Sequence, residues 1–206
     1  MNAEAVRRLA LETDLRRAVA NHEFVTYYQP VIDFSSGRVI GLEALVRWQH
    51  PELGILPPLD FLDIAEDTGM IVSIGDQVFA TAAAQTRRWQ EGNFPNLRIA
   101  VNVSARQFSE SNFLDRISQI LGRARLDPQS VELEITETSI MEHGESALTV
   151  LSEIRKMGIS IAIDDFGTGY SSLSYLKRLP IDCVKGPSIG APRSSRNRTI
   201  SIELAE

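Results

Sequence analysis

Three nearly continuous apolar runs, RIAVNVS at 98–104, VELEIT at 131–136 and SIAIDDF at 160–166, alternate with stretches of helical periodicity. No other feature of the sequence constrains the fold as much. Strands that are apolar at almost every position belong to parallel sheets, and the intervening helices are the crossovers that parallel pairing needs. The crossovers read as SNFLDRISQILGRA, with Ser111 as its cap, and ESALTVLSEIRKM, stopped by Gly158. YSSLSYLKRL, ended by Pro180, reads as a further short helix, and IDCVK at 181–185 is a last brief strand.

The start of the chain departs from this rhythm. FVTYYQPVIDFSSGRVIGLEALVRW reads as two strands joined at Ser35-Ser36-Gly37, a loop too short for parallel neighbours, so one strand must run antiparallel to the other. FLDIAEDTGMI comes next as a short helix closed by Gly69, then IGDQVFATAAAQTRRWQ as a long amphipathic one. Six strands result, in an α/β barrel or a doubly wound sheet. MNAEAVRRLALETDLRRAVANHEF reads as an amphipathic helix and the end of a linker, with no signal-peptide pattern.

Composition narrows the function. A net charge of -6 argues against a general DNA binder, whose affinity rests on many Lys and Arg contacts with phosphates. The single cysteine excludes an internal disulfide or a cysteine-rich zinc site and fits a cytoplasmic location. No apolar run reaches the ~20 residues of a membrane span.

Polar residues then gather at one end of the strands: Glu43, Asn102, Glu134, and the pair Asp164 and Asp165. In a barrel that end carries the active site. Carboxylates converging there repel one another unless a hard cation compensates them, and oxygen-only ligands favour Mg²⁺ or Mn²⁺. Two such ions would clamp an in-line displacement at phosphorus. Arg47 has the fork suited to a phosphate oxygen, and Lys185 ends the last strand on the same rim. His22, His50 and His143 show no ligand spacing and carry no expected chemistry.

GLEALVRW, VNVSARQF, ELEITE and IDDFGTGYSSLSYLKRLPIDCVK, in this order, resemble the EAL-domain family of bacterial cyclic di-GMP phosphodiesterases. The likeness runs from about Leu11 to Lys185. It implies a modified (β/α)₈ TIM-type barrel with an antiparallel strand near its start, two Mg²⁺ or Mn²⁺ ions, and hydrolysis of cyclic di-GMP to linear pGpG. By resemblance, Glu43, Asn102, Glu134 and Asp164 hold the first ion, and Asp164 with Asp165 contacts the second. Lys185 sits beside the nucleophilic water, Glu137 anchors the DDFGTG loop, and Arg47 and Gln29 meet the ligand. Carboxylates beside such cations are expected to stay ionised.

The chain divides into a helical linker at 1–22, the EAL domain at 23–185 and a divergent tail at 186–206. After Lys185 the family's continuation, including a further metal-binding glutamate, is not identifiable, so the barrel is expected to lack C-terminal strands 7 and 8. Such a barrel would expose strand edges that invite association. Activity is then expected to be reduced or absent, with a weak second metal site. The alternative is a noncatalytic cyclic di-GMP receptor or protein-interaction module, and a metal-dependent proton-abstracting enzyme is a third reading. The family resemblance also brings a homodimer and an upstream sensory or GGDEF-type domain into view as partners.

Overall fold

The computed structural model describes residues 3–33, 36–164 and 178–185. Asp165, most of the expected helix at 170–179 and the tail at 186–206 lie outside the described residues.

Strands β1 (Phe24–Ile32) and β2 (Val39–His50) form the expected antiparallel hairpin. At its turn the Asp33 carboxylate accepts from the backbone N–H and hydroxyl of Ser36, and Gly37 takes a φ of 66° that a side chain would resist. A third strand, β3 (Gly54–Leu56), pairs antiparallel with the far end of β2 and adds a seventh to the six expected. Three residues are too few to register as a periodic pattern. Beyond it, β4 (Ile99–Val103), β5 (Val131–Thr136), β6 (Ser160–Asp164) and β7 (Cys183–Val184) are all parallel, in the order β1-β2-β4-β5-β6-β7.

Six α-helices accompany the sheet among the described residues: α1 (Ala3–Asn21), α2 (Leu62–Thr68), α3 (Ile71–Glu91), α4 (Ala105–Ser109), α5 (Phe113–Ala124) and α6 (Glu137–Lys156). Two differ from the sequence reading. The residue capping α5 is Asn112, not Ser111, and no side-chain hydrogen bond forms there. Helix α6 begins eight residues before Glu145, because Thr136 caps it by accepting from the Ser139 N–H; it kinks at Gly144, where φ is 51° and ψ is -128°. That glycine interrupts the helical pattern in the sequence, so only the second half was legible.

The main core lies between one face of the sheet and helices α3, α5 and α6. Ile99, Val101 and Val103 on β4, Val131, Leu133 and Ile135 on β5, and Ile161 and Ile163 on β6 all join that cluster. Their alternate neighbours do not, so the helices cover one sheet face. This is a barrel-type arrangement rather than a doubly wound one. A second cluster unites α1, α2 and the start of α3 with Phe24, Trp48 and Phe61. His50 fastens that lobe: buried, its Nδ1 accepts from the backbone N–H groups of Glu52 and Leu53 at 3.1 Å each, while Nε2 lies 3.4 Å from Asp14 of α1.

Two local devices fix segments next to the strands. Behind β4, Ser104 and Gln107 make a reciprocal capping box that starts α4. Gln107 fits only because α3 has Gly75 opposite it, where an added Cβ would stand 2.1 Å from the Gln107 amide nitrogen. Before β7, Asp182 receives the buried Ile161 N–H at 2.8 Å and an ion pair from Arg155. Its own N–H donates to the Ile161 carbonyl at 2.9 Å.

Two substitutions test these devices. Gly75→Ala would gain roughly 1 kcal/mol of helix propensity, but it displaces Gln107 from its cap. We expect the variant to melt below the wild type, as calorimetry would reveal; a higher melting temperature would contradict the packing argument. Asp182→Ala leaves the Ile161 N–H without its partner, a loss of about 1–3 kcal/mol. Chemical denaturation should resolve it, and an unchanged midpoint would remove Asp182 as the anchor of β7.

Candidate functional site

The sheet face away from the helices is polar, and the strand registers determine what meets there. Gln29 opposes Glu43, Glu43 aligns with Ala100, Ala100 with Glu132, and Glu132 with Ser160. Two residues further on, Asn102 aligns with Glu134, Glu134 with Ala162, and Ala162 with Cys183. Asp164 stands two residues above Ala162, opposite Thr136. Since side chains alternate faces, Gln29, Glu43, Arg47, Asn102, Glu134, Asp164 and Lys185 share one face. The sequence places them at strand ends; the register brings them onto a common surface.

Contacts along this surface run from β2 to β7. The Asn102 amide nitrogen donates to the Glu43 Oε1 at 3.0 Å. Lys185 donates from Nζ to the Glu134 Oε1 and lies 3.0 Å from the Glu132 Oε1. Glu134 is 3% exposed, so its charge has little water to solvate it. Burial pushes its carboxyl up, Glu43 pushes it further, Lys185 pulls it down by charge and hydrogen bond, and Asp164 adds a rise; the balance is a pKa of about 7. Ionisation at neutral pH is therefore incomplete here without another cation. For Lys185, burial alone would lower the pKa, but Glu134 and Glu132 overcome it and hold the ammonium above the usual lysine range.

The remaining candidates sit at the rim or behind it. Arg47 donates to its neighbour's carbonyl at Val46 at 2.8 Å, and its guanidinium lies 5.5 Å from the Tyr27 ring centroid. Gln29 is half-buried on β1. Glu137, 3% exposed, is the first residue of α6, directly after β5. Asp165 belongs to the residues not described.

As a donor set, Glu43, Asn102, Glu134 and Asp164 offer oxygen alone, which suits a hard divalent cation. Among the described residues no three His, Cys, Asp or Glu side chains are drawn together closely enough to hold one. The Asn102 amide donates to Glu43 and the Lys185 ammonium to Glu134 on this face.

Glu132 is the site residue that the sequence reading missed. The signal was present, since residues 132 and 134 of VELEIT lie on the same face of an alternating strand. Among the described residues no helix is long and apolar enough to cross a membrane.

Known proteins share this organisation. The family model for the EAL domain matches residues 12–188. The bifunctional diguanylate cyclase/cyclic di-GMP phosphodiesterase MucR of Pseudomonas aeruginosa is 45% identical over 185 residues, 90% of this chain and 27% of MucR. The cyclic di-GMP phosphodiesterase PdeR of Escherichia coli is 43% identical over 185 residues, 90% of this chain and 28% of PdeR. The chain thus spans just over a quarter of either relative. In structure it resembles the PaMucR phosphodiesterase in complex with c-di-GMP, with a TM-score of 0.83 and 44% identity, covering 86% of this chain and 72% of that one. The TIM-barrel-like α/β fold, the one-sided array of oxygen donors and the match over most of its length make this chain a member of the EAL domain family.

Proposed function

We propose that this chain hydrolyses one phosphodiester of cyclic di-GMP to give linear pGpG, using the polar sheet face as its active site. The observation that carries the reading is the shared face of Glu43, Asn102, Glu134, Asp164 and Lys185, with one ammonium compensating a buried carboxylate. Glu43, Asn102, Glu134 and Asp164 would hold a divalent Mg²⁺ or Mn²⁺ ion, and Asp165 would reach a second. Bound there, the metal would polarise the phosphoryl oxygens and lower the pKa of the attacking water.

The chain's own groups account for the rest. Asn102 fixes the orientation of the Glu43 carboxylate through its 3.0 Å hydrogen bond. Arg47, backed by Tyr27, presents its guanidinium to a ligand phosphate, and Gln29, across the hairpin from Glu43, lies on the same sheet face. Lys185 keeps its proton and so orients a nucleophilic water by donation rather than acting as a base. Glu137, buried where β5 passes into α6, would by the family resemblance anchor the DDFGTG segment that begins at Asp164. Residues 23–185 would form the working domain, with α1 (Ala3–Asn21) packed on it through Leu11, Leu15 and Ala18. By analogy with the bifunctional diguanylate cyclase/cyclic di-GMP phosphodiesterase MucR, this chain's partner is a diguanylate cyclase (GGDEF-type) domain, and the family resemblance adds a sensory domain or a second copy of the chain. The free Cys183 suits a cytoplasmic setting.

Purified protein with Mn²⁺ should convert cyclic di-GMP to pGpG, resolved by anion-exchange chromatography, at a rate reduced relative to a phosphodiesterase such as PdeR, and Glu134→Gln should lose about 10²-fold or more of that rate. Binding of the nucleotide without any turnover would instead identify a receptor.

A second outcome concerns pH. The Glu134 carboxyl has an ordinary value of 4.5 and about 7 in the folded, metal-free chain. Between those values the folded state keeps a proton that the unfolded state has released, so stability falls as pH rises through that window. The melting temperature of the metal-free protein should decline from about pH 5 to about pH 7.5, and Glu134→Gln should flatten the decline. Parallel slopes in both proteins would show that Glu134 does not set it.

A further inference from the structure

Lys185 stands at the end of β7, yet both carboxylates that it meets belong to β5, with β6 between them. Neighbouring strands lie about 4.8 Å apart, so the side chain must cross the face of β6 to reach them. It can do so because the β6 residue in register between Glu134 and Cys183 is Ala162, which has only a methyl group to offer.

The two carboxylates are not equivalent. Glu134 lies level with Asn102, in the row that would take a metal ion. Glu132 lies one step lower, level with Ala100 and Ser160 and away from Asp164; Glu43 shares that row, but β4 with Ala100 stands between the two carboxylates. A cation at Glu134 would take over its oxygens and repel the ammonium. Glu132 remains as the partner that keeps Lys185 on the site.

We propose that Glu132 is the positioning residue for Lys185: it holds the ammonium against β5 once Glu134 is engaged elsewhere. The proposal rests on the metal-site reading of this face, but its core, a lysine retained by the lower carboxylate, can be tested without metal or turnover. Positioning is the whole of the role, since Glu132 acts through Lys185 and not on the substrate.

The chain has three lysines, Lys156, Lys177 and Lys185, so ¹⁵N-labelled lysine gives few ammonium signals to assign. The Lys185 side chain is 33% exposed and ion-paired, and an ammonium held in this way exchanges its protons more slowly than a free one, so its Nζ signal is visible in the cold. Glu134→Gln removes the competing carboxylate outright. In that variant the Lys185 Nζ signal should persist, and in the Glu132→Gln/Glu134→Gln double variant it should vanish, while the thermal melt of each reports that the chain is folded. Loss in the single variant, or survival in the double, overturns the proposal.

The activity arm separates positioning from bulk structure. With Mn²⁺ and cyclic di-GMP, Glu132→Gln should lower kcat by about 10–100-fold with KM changed less than about threefold, since an interaction that acts only on the reacting geometry appears in kcat. Glu132→Asp should recover part of the loss. Equal turnover by Glu132→Gln and the wild type would also overturn the proposal. Absence of hydrolysis in the wild type would sink the phosphodiesterase reading instead, and the Nζ signals would then decide the lysine anchor alone.

Discussion

Register across the parallel strands is the constraint on which everything else depends. From β4 to β6 the pairing places Val101, Leu133 and Ile161 in one row and Asn102, Glu134 and Ala162 in the next. The first row is sealed beneath helices; the second carries the polar chemistry. A slip of one residue in any of these strands would turn Asn102 or a carboxylate into the isoleucine-rich core and expose its apolar partners. The hydrophobic effect therefore specifies the active face indirectly, by making every alternative register costly.

That face is electrostatically unsettled by construction. Burial and the neighbouring Glu43 work against the charge of Glu134, and the ammonium of Lys185 offsets only part of that. Removing one partner of such a pair leaves an uncompensated charge and is destabilising, which is why the pair persists, although a hydrophobic pair of equal size could be as stable. Sites that bind cations need this property. A carboxylate already satisfied by its own protein would gain little from a metal ion.

Much of this was legible in the sequence, for reasons that can be named. The parallel strands announced themselves because both their faces are covered or lined, leaving apolar runs. The antiparallel start came from loop length alone, and Glu43, Asn102, Glu134 and Asp164 stood out as polar residues in apolar surroundings. What escaped were features that depend on contacts distant in sequence. His50 gave no ligand spacing, because its work is to accept two backbone N–H groups and face Asp14 of α1. Gly75 carried no signal of its own, because Gln107, which occupies the space it leaves, is distant in the sequence. The first half of α6 was hidden by Gly144, whose positive φ breaks the periodicity without ending the element.

The site and the fold also depend on each other at their thinnest point. Strand β7 pairs with β6 through two residues, and its flanks add the bonds from Asp182 to Ile161 and from Lys185 to Ile163, at 2.9 and 2.7 Å. So short a strand has little backbone pairing of its own. Side chains at its two ends add to that hold: Asp182 is pinned between Arg155 and the Ile161 N–H, and Lys185 is drawn across Ala162 to the β5 carboxylates, while Leu179 and Ile181 just before it pack into the core. Charges gathered for chemistry are thus also charges that dock the last described strand, so any change in how Glu134 is neutralised reaches the backbone of β7 through the same ammonium.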